Sequence, residues 1–368
     1  MAPSVRSAKT DNAARPSMMP MPAEWEAHAA TWLAWPHNRS DWPGKFAPVP
    51  WVYAEIVRHI VPGEIVHIVV NDAAHEKAAR TVLASAHVPR ENVVLHRWRT
   101  DRGWTRDSGA IIVRDKGGSQ VALNWRFNAW AKYSDWRNDN KLARYMADFL
   151  GLECICPAES ANGSQSATRT PLVLEGGAVE VNGCGTMMAT EECLLSDEIQ
   201  VRNPGVGREQ LEAVFRHFLG IRKVIWLERG IVGDDTHGHI DDIARFVSPD
   251  TVLAAVEPNP SDPNHKPLQA NLERLRASTD QNGRPLRVIE LPMPSPVWFR
   301  KQRLPASYAN FYISNAAVLV PAFNDPKDRI ALNILADLFP DRATVGIYCG
   351  DLILGLGAIH CMTQQQPK

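Results

Sequence analysis

Short β-branched runs alternate with stretches of helical period along most of the chain, and this alternation restricts the fold more than any other feature. The runs IVHIVV (65–70), AIIV (110–113), KVIWL (223–227), TVLAAV (251–256) and AAVLVPAF (316–323) are predicted strands. Between them, NDNKLARYMADFLG (138–151), GREQLEAVFRHFLG (207–220) and DPKDRIALNILADLFP (325–340) return Leu, Ile, Phe and Met every three or four residues, as amphipathic helices do. Two of these stretches stop at a Gly and the third at Pro340. A chain of 368 residues exceeds the usual single core, so it needs either two domains or one domain of repeated modules. No linker rich in Pro, Gly and Ser divides it; EPNPSDPNHKP (257–267) and LPMPSPVW (291–298) read as surface connections inside one α/β architecture.

The charge balance narrows the partners. Lys and Arg number 40 and Asp and Glu 41, a net charge of -1, so no global field recruits nucleic acid or an anionic membrane. A small molecule is the expected partner, and self-association stays open. Six scattered cysteines are too few to staple the chain, and no apolar run spans a bilayer, which fits a reduced, cytoplasmic protein. Cys154 and Cys156 form C-x-C, predicted as a strand with one buried sulfur. The first 20 residues lack the apolar segment of a secretory signal and are predicted to be a disordered tail, a transit peptide being the alternative, ahead of one domain over 21–368.

Four motifs carry residues suited to chemistry. In GDDTHGHIDDIARF (233–246), an extended backbone would project His237, His239 and Asp241 from one face. That set reads as a metal site, as a general acid/base (His239) beside a carboxylate that binds a cation, or as a solvated acidic turn. In RWRTDRGWTRDSGAIIV (97–113), Trp104 and Asp107 precede an apolar strand, where an indole and a carboxylate suit a guanidinium or ammonium ion; an Arg–Asp pair pinning a turn is the plainer alternative. VLEGGAVEVNG (173–183) ends an apolar run on Glu175 and follows it with two glycines, a weak signal alone. GLGAIHCMTQQQP (355–367) presents Cys361, a thiol that needs a cationic or basic neighbour to ionise near neutral pH. His360 is adjacent, but consecutive strand side chains face opposite ways, which makes His239 the better partner.

Taken in order, WTRDSG, EGG, GDDTHGHID, LPASYANFYISN and GLGAIHCMTQQQP resemble the agmatine deiminase and bacterial-type peptidylarginine deiminase family from Pro22 to Pro367. The resemblance implies the pentein fold, a five-bladed, pseudo-symmetric α/β propeller of ββαβ-type modules with its site in the central channel. It also implies hydrolysis of a guanidinium without cofactor or metal. Cys361 would be the nucleophile, His239 the acid/base, Asp107 and Asp241 the guanidinium-binding carboxylates and Glu175 the acid that orients the site. Gly355 and Gly357 would permit close packing as the final strand, carrying the nucleophile, closes the ring. Where the family usually reads GHIDN or GHVDN, this chain has Asp242, followed by Arg245. For agmatine, Asp235 or Asp242 would hold the free amine; for arginine, Arg245 or Arg106 would hold the α-carboxylate. The functions expected are therefore agmatine deimination, deimination of another guanidino compound, or, outside the resemblance, a metal hydrolase or a non-catalytic amine binder.

Overall fold

The structure, a computed structural model, describes residues 18–158 and 171–368. Most of the predicted tail, residues 1–17, lies outside the described residues. Ordered chain nevertheless begins before residue 21: the Met18 amide donates to the His217 carbonyl (3.1 Å) and the Met19 amide to that of Arg114 (2.9 Å).

Among the described residues, five small mixed sheets repeat one plan, an antiparallel pair followed by a helical crossover to a parallel third strand. The first module has strands Ile111–Arg114, Gln120–Leu123 and Glu153–Ile155 with helix Leu142–Leu150. The second has Glu180–Val181, Thr186–Thr190 and Lys223–Leu227 with helix Arg208–Phe218. The third has Ala244–Ser248, Thr251–Val256 and Arg287–Pro292 with helix His265–Arg276. The fourth has Tyr312–Ile313, Ala317–Ala322 and Ala343–Tyr348 with helix Asp328–Leu338.

The fifth module joins the two ends of the chain. Its first strand, Gln364–Pro367, pairs with His28–Ala34, which continues through helix Val49–Ile60 to Ile65–Val70. Helix Ala73–Ser85 then adds a fourth strand, Val93–Arg97. Repetition explains how a chain this long buries its apolar surface without one large core. In the helix Arg208–Phe218, for example, Leu211, Val214, Phe215 and Phe218 form the buried stripe, at the spacing of a single helix face. Gly151 ends the helix Leu142–Leu150 in the left-handed region (φ 66°) that glycine adopts without strain.

Two local expectations change. Cys154 is half-buried and Cys156 exposed, while Ile155 between them is buried, so the C-x-C strand turns its aliphatic side chain inward and not a sulfur. The Pro-rich stretch 257–267 is less superficial than its composition implies. Asn264 is buried and accepts the Val232 amide at 2.7 Å, and the helix of the third module starts at His265.

The pseudo-symmetry positions the site. Each module is entered through a tight segment: Thr105–Ser108, Gly176–Ala178, Ile240–Asp242, the turn holding Asn310, and His360–Met362. Gly177, Asp241 and Cys361 each stand three residues before the first strand of their modules, so repeating modules set equivalent positions around a common centre.

Candidate active site

Four entry segments deliver buried polar side chains to the centre: Asp107, Glu175, His239 with Asp241, and Cys361, all at most 7% exposed. The His239 ring sits amid carboxylates, with Nδ1 3.9 Å from Asp107 and 4.0 Å from Asp241, and Nε2 4.0 Å from Glu175. The Cys361 sulfur is 3.7 Å from Asp241 Oδ2 and accepts from Asn310 Nδ2 at 3.1 Å.

Neighbours fix the orientation of each group. Asp107 accepts the Trp130 indole N–H on Oδ2 (2.9 Å) and the Gly177 amide on Oδ1 (3.0 Å). Glu175 Oε1 takes the Arg202 guanidinium at 3.0 Å. Asp241 Oδ2 is bound by His360 Nδ1 at 2.6 Å, and His360 Nε2 meets Glu24 at 2.7 Å. Four atoms at the centre have no hydrogen-bond partner among the described residues: Glu175 Oε2, His239 Nδ1, His239 Nε2 and Asp241 Oδ1. Buried polar groups are nearly always paired, so this concentration marks a place where a polar ligand belongs.

Electrostatics follow from burial and charge. Desolvation pushes the Cys361 thiol well up, and the carboxylates of Asp241, Asp242 and Asp107 push it further. Burial opposes a charged His239, yet Asp107, the facing Cys193 sulfur and Asp241 outweigh it and hold the imidazolium well above the usual histidine range. Asp107 is raised by desolvation. Asp241 is also desolvated, but its bond to His360 and the nearby positive charges take it down. Asp242 goes the other way, raised by burial and by Asp241.

A cavity of about 510 Å³ opens onto Cys361, walled by Trp104, Asp107, Trp130, Tyr133, Asp41 and Asp235, with Arg300 and Lys301 at its rim. Trp104 packs where Gly355 and Gly357 leave room. A methyl group at Gly357 would lie 2.8 Å from the Trp104 ring and 3.1 Å from Cys361 Cβ, and one at Gly355 would lie 2.7 Å from Trp42. Cys361 itself lies in the short turn His360–Met362, ahead of the final strand and not on it.

The residues predicted for the far end of the substrate are not brought together. Asp235 reaches the cavity wall, but its oxygens are taken by Lys132 Nζ (2.5 Å) and the Tyr133 hydroxyl (2.7 Å). Asp242 is buried against Asn310 Nδ2 (3.0 Å). Arg245, fully buried, is consumed by Glu180, Glu24 and the carbonyls of Ala309 and Phe311. Arg106 is likewise consumed by Glu24, Gln365 and the His360 carbonyl. The set His237, His239 and Asp241 does not share a face, because the chain reverses at His237 (φ 65°) and Gly238 (φ 93°), leaving His237 beside Glu192. Asp234 builds that reversal by accepting the amides of Gly238 and His239. Among the described residues the potential ligand atoms that do approach, within 4.8 Å, are those of Glu175, Cys193 and His239; the guanidinium of Arg202 on Glu175 disfavours a metal cation there.

The pattern of the Porphyromonas-type peptidyl-arginine deiminase family matches residues 20–367. The chain belongs to this family. It is 35% identical to the agmatine deiminase of Ectopseudomonas mendocina over 94% of this chain and 95% of that one. Its fold is similar to the agmatine deiminase of Enterococcus faecalis (TM-score 0.86, 29% identity, covering 98% of this chain and 100% of that chain). It is also similar to a cysteine-to-serine C. jejuni agmatine deiminase with substrate bound (TM-score 0.81, 27% identity, covering 96% of each). No helix among the described residues is long and apolar enough to cross a membrane.

In this family member the groups that orient the centre, Asn310, His360, Trp130, Arg202 and Glu24, are not marked for that role by the sequence. Asn310 and His360 stand inside the motifs, but Asn310 has no local signal there and His360 is suggested only as the poorer partner for the thiol. Trp130 had no local signal; it stands in a run of three left-handed residues, Ala129, Trp130 and Ala131 (φ 51°, 59° and 53°), tied by Asn128 and Gln200. Such strain gathers where surrounding structure over-determines a functional side chain.

Proposed function

We propose that this chain is a hydrolase that deiminates agmatine to N-carbamoylputrescine and ammonia through a covalent intermediate on Cys361. The observation that supports this reading is the group of unpartnered atoms on Glu175, His239 and Asp241 beside the thiol. A guanidinium is planar and cationic, and the Asp107 and Asp241 carboxylates can take its N–H groups while leaving the carbon face open.

In the resting site burial, and after it the neighbouring acids, keep Cys361 as a thiol. The arriving cation reverses that balance; the thiol proton leaves to solvent and the thiolate attacks the guanidinium carbon. His239, held as an imidazolium, gives its proton to the departing nitrogen, so that ammonia leaves and a Cys361 thiouronium remains. Neutral His239 then takes a proton from water as the oxygen adds to that carbon. Collapse expels the thiolate, the remaining hydroxyl proton passes to the sulfur and restores the resting thiol, and the ureido product is left. Glu175, fixed by Arg202, stabilises the imidazolium.

The reading treats 21–368 as one domain working in a reducing cytoplasm, where the six free cysteines are maintained. Arg300 and Lys301 at the rim support a second reading, in which the substrate carries a carboxylate as arginine does. Ammonia release from agmatine, arginine and peptidyl arginine, with and without chelator, separates them. Agmatine should be turned over fastest and be insensitive to chelator; faster citrulline formation would overturn the assignment of agmatine, and loss of turnover with chelator would favour a metal hydrolase.

A further inference from the structure

The cavity wall carries one acid that no motif pointed to. Asp41, from HNRSDWPG (37–44), is 8% exposed and lines the same cavity as Cys361. Its Oδ1 takes the Arg102 guanidinium, but Oδ2 has no hydrogen-bond partner among the described residues. Arg102 is itself shared with Asp135 and lies over the Tyr133 ring at 4.4 Å, so it does not serve Asp41 alone. Desolvation, which outweighs Arg102, pushes the Asp41 carboxyl up to about 6, as expected of an acid short of compensating charge.

Trp104 connects this acid to the thiol. The six-membered edge of its indole lies against Gly357, beside Cys361 Cβ, and its N–H faces Asp41. Between the two ends the ring offers an apolar surface, a suitable wall for a chain of methylenes. Of the other two acids on the wall, Asp107 lies at the guanidinium end beside His239, and Asp235 has both oxygens occupied.

We propose that Asp41 is the subsite for the primary ammonium at the far end of the substrate, with the Trp104 indole lining the methylene chain that joins it to the guanidinium. The proposal rests on the deiminase reading and makes the enzyme selective for an ω-amino guanidine over a plain alkylguanidine. The two activities to compare are ammonia release from agmatine and from butylguanidine, which lacks the amine. In the wild type, kcat/KM should favour agmatine. In Asp41→Asn, the ratio of the two kcat/KM values should fall at least about tenfold, through the KM for agmatine, as when an interaction is shared by ground and transition states. In Asp41→Glu, which keeps the charge and the Arg102 partner, preference should move to the amino guanidine one methylene shorter. A ratio unchanged in Asp41→Asn, or a chain-length preference unchanged in Asp41→Glu, overturns the subsite alone. A wild type that releases ammonia from neither compound overturns the deiminase reading and the subsite with it.

Discussion

Replacing Gly177 with Ala tests how tightly the centre is set. Gly177 stands where the entry segment of the second module meets His239 and Asp107. A methyl group there would lie 2.5 Å from His239 Nδ1 and 2.9 Å from Asp107 Oδ1. Ordinary contact begins near 3.4 Å, so the imidazole would have to retreat by 3.4 − 2.5 = 0.9 Å. The ring is 1% exposed and has little room to move. A misplacement of about 1 Å in a catalytic group costs about 100-fold in rate, while overpacking costs about 1–3 kcal/mol of stability. Gly177→Ala should therefore fold, with a modestly lowered unfolding midpoint in urea, and lose about 100-fold in kcat for ammonia release. A folded variant whose kcat lies within about threefold of wild type would refute the argument that His239 must occupy its present position.

Cys361→Ser should keep its fold and lose nearly all turnover, because a serine hydroxyl stays protonated at neutral pH and the Asp241 carboxylate, 3.7 Å from the sulfur, is too weak a base to ionise it; near-normal ammonia release would remove Cys361 from its role. Glu24 lies where Arg106, Arg245, His360 and the Ile313 amide converge, and burial of its carboxylate is outweighed by those cations, which hold it well below its ordinary range. Glu24→Gln should lower unfolding free energy in urea by about 3–5 kcal/mol, and a loss below about 1 kcal/mol would show the network to be dispensable. His67 Nδ1 lies 2.9 Å from His96 Nε2, and burial brings both rings down to about 4. Since the folded values lie below the unfolded value of about 6.5, the unfolded chain binds more protons in that interval; stability is full above it and is lost as pH falls toward about 4. Thermal midpoints from pH 7 to pH 4.5 should fall less in a His67→Gln/His96→Gln double variant than in wild type, and equal slopes would exclude the pair as a source of acid sensitivity.

Strands 65–70, 223–227 and 251–256 were legible to the residue because β-branched side chains in a buried run need no distant partner to declare themselves. Gln364–Pro367 is different: three glutamines and a proline form a strand only because His28–Ala34 lies alongside, so the place of Cys361 before that strand depended on ring closure. Nearness to the motifs marks Arg106 and Arg245 as substrate anchors in the sequence alone. The carboxylate that takes both, Glu24, is 82 and 221 residues away in sequence, and a charge reveals its partner only once the chain has folded. The period of two that pairs His237 with His239 holds only on extended backbone, and the left-handed turn at His237 and Gly238 breaks it. Asp41 carries no signal in the sequence, because an acid in a loop looks solvated until the cavity around it is known.

The central claim is a covalent bond between Cys361 and the carbon of a guanidinium. Wild-type protein mixed with agmatine, quenched in acid during turnover and digested should carry the amidino adduct on the peptide holding Cys361, and the adduct should accumulate when water attack is slowed. An adduct on Cys193 or Cys349, or turnover at full rate with no trapped species under conditions that slow hydrolysis, would contradict it.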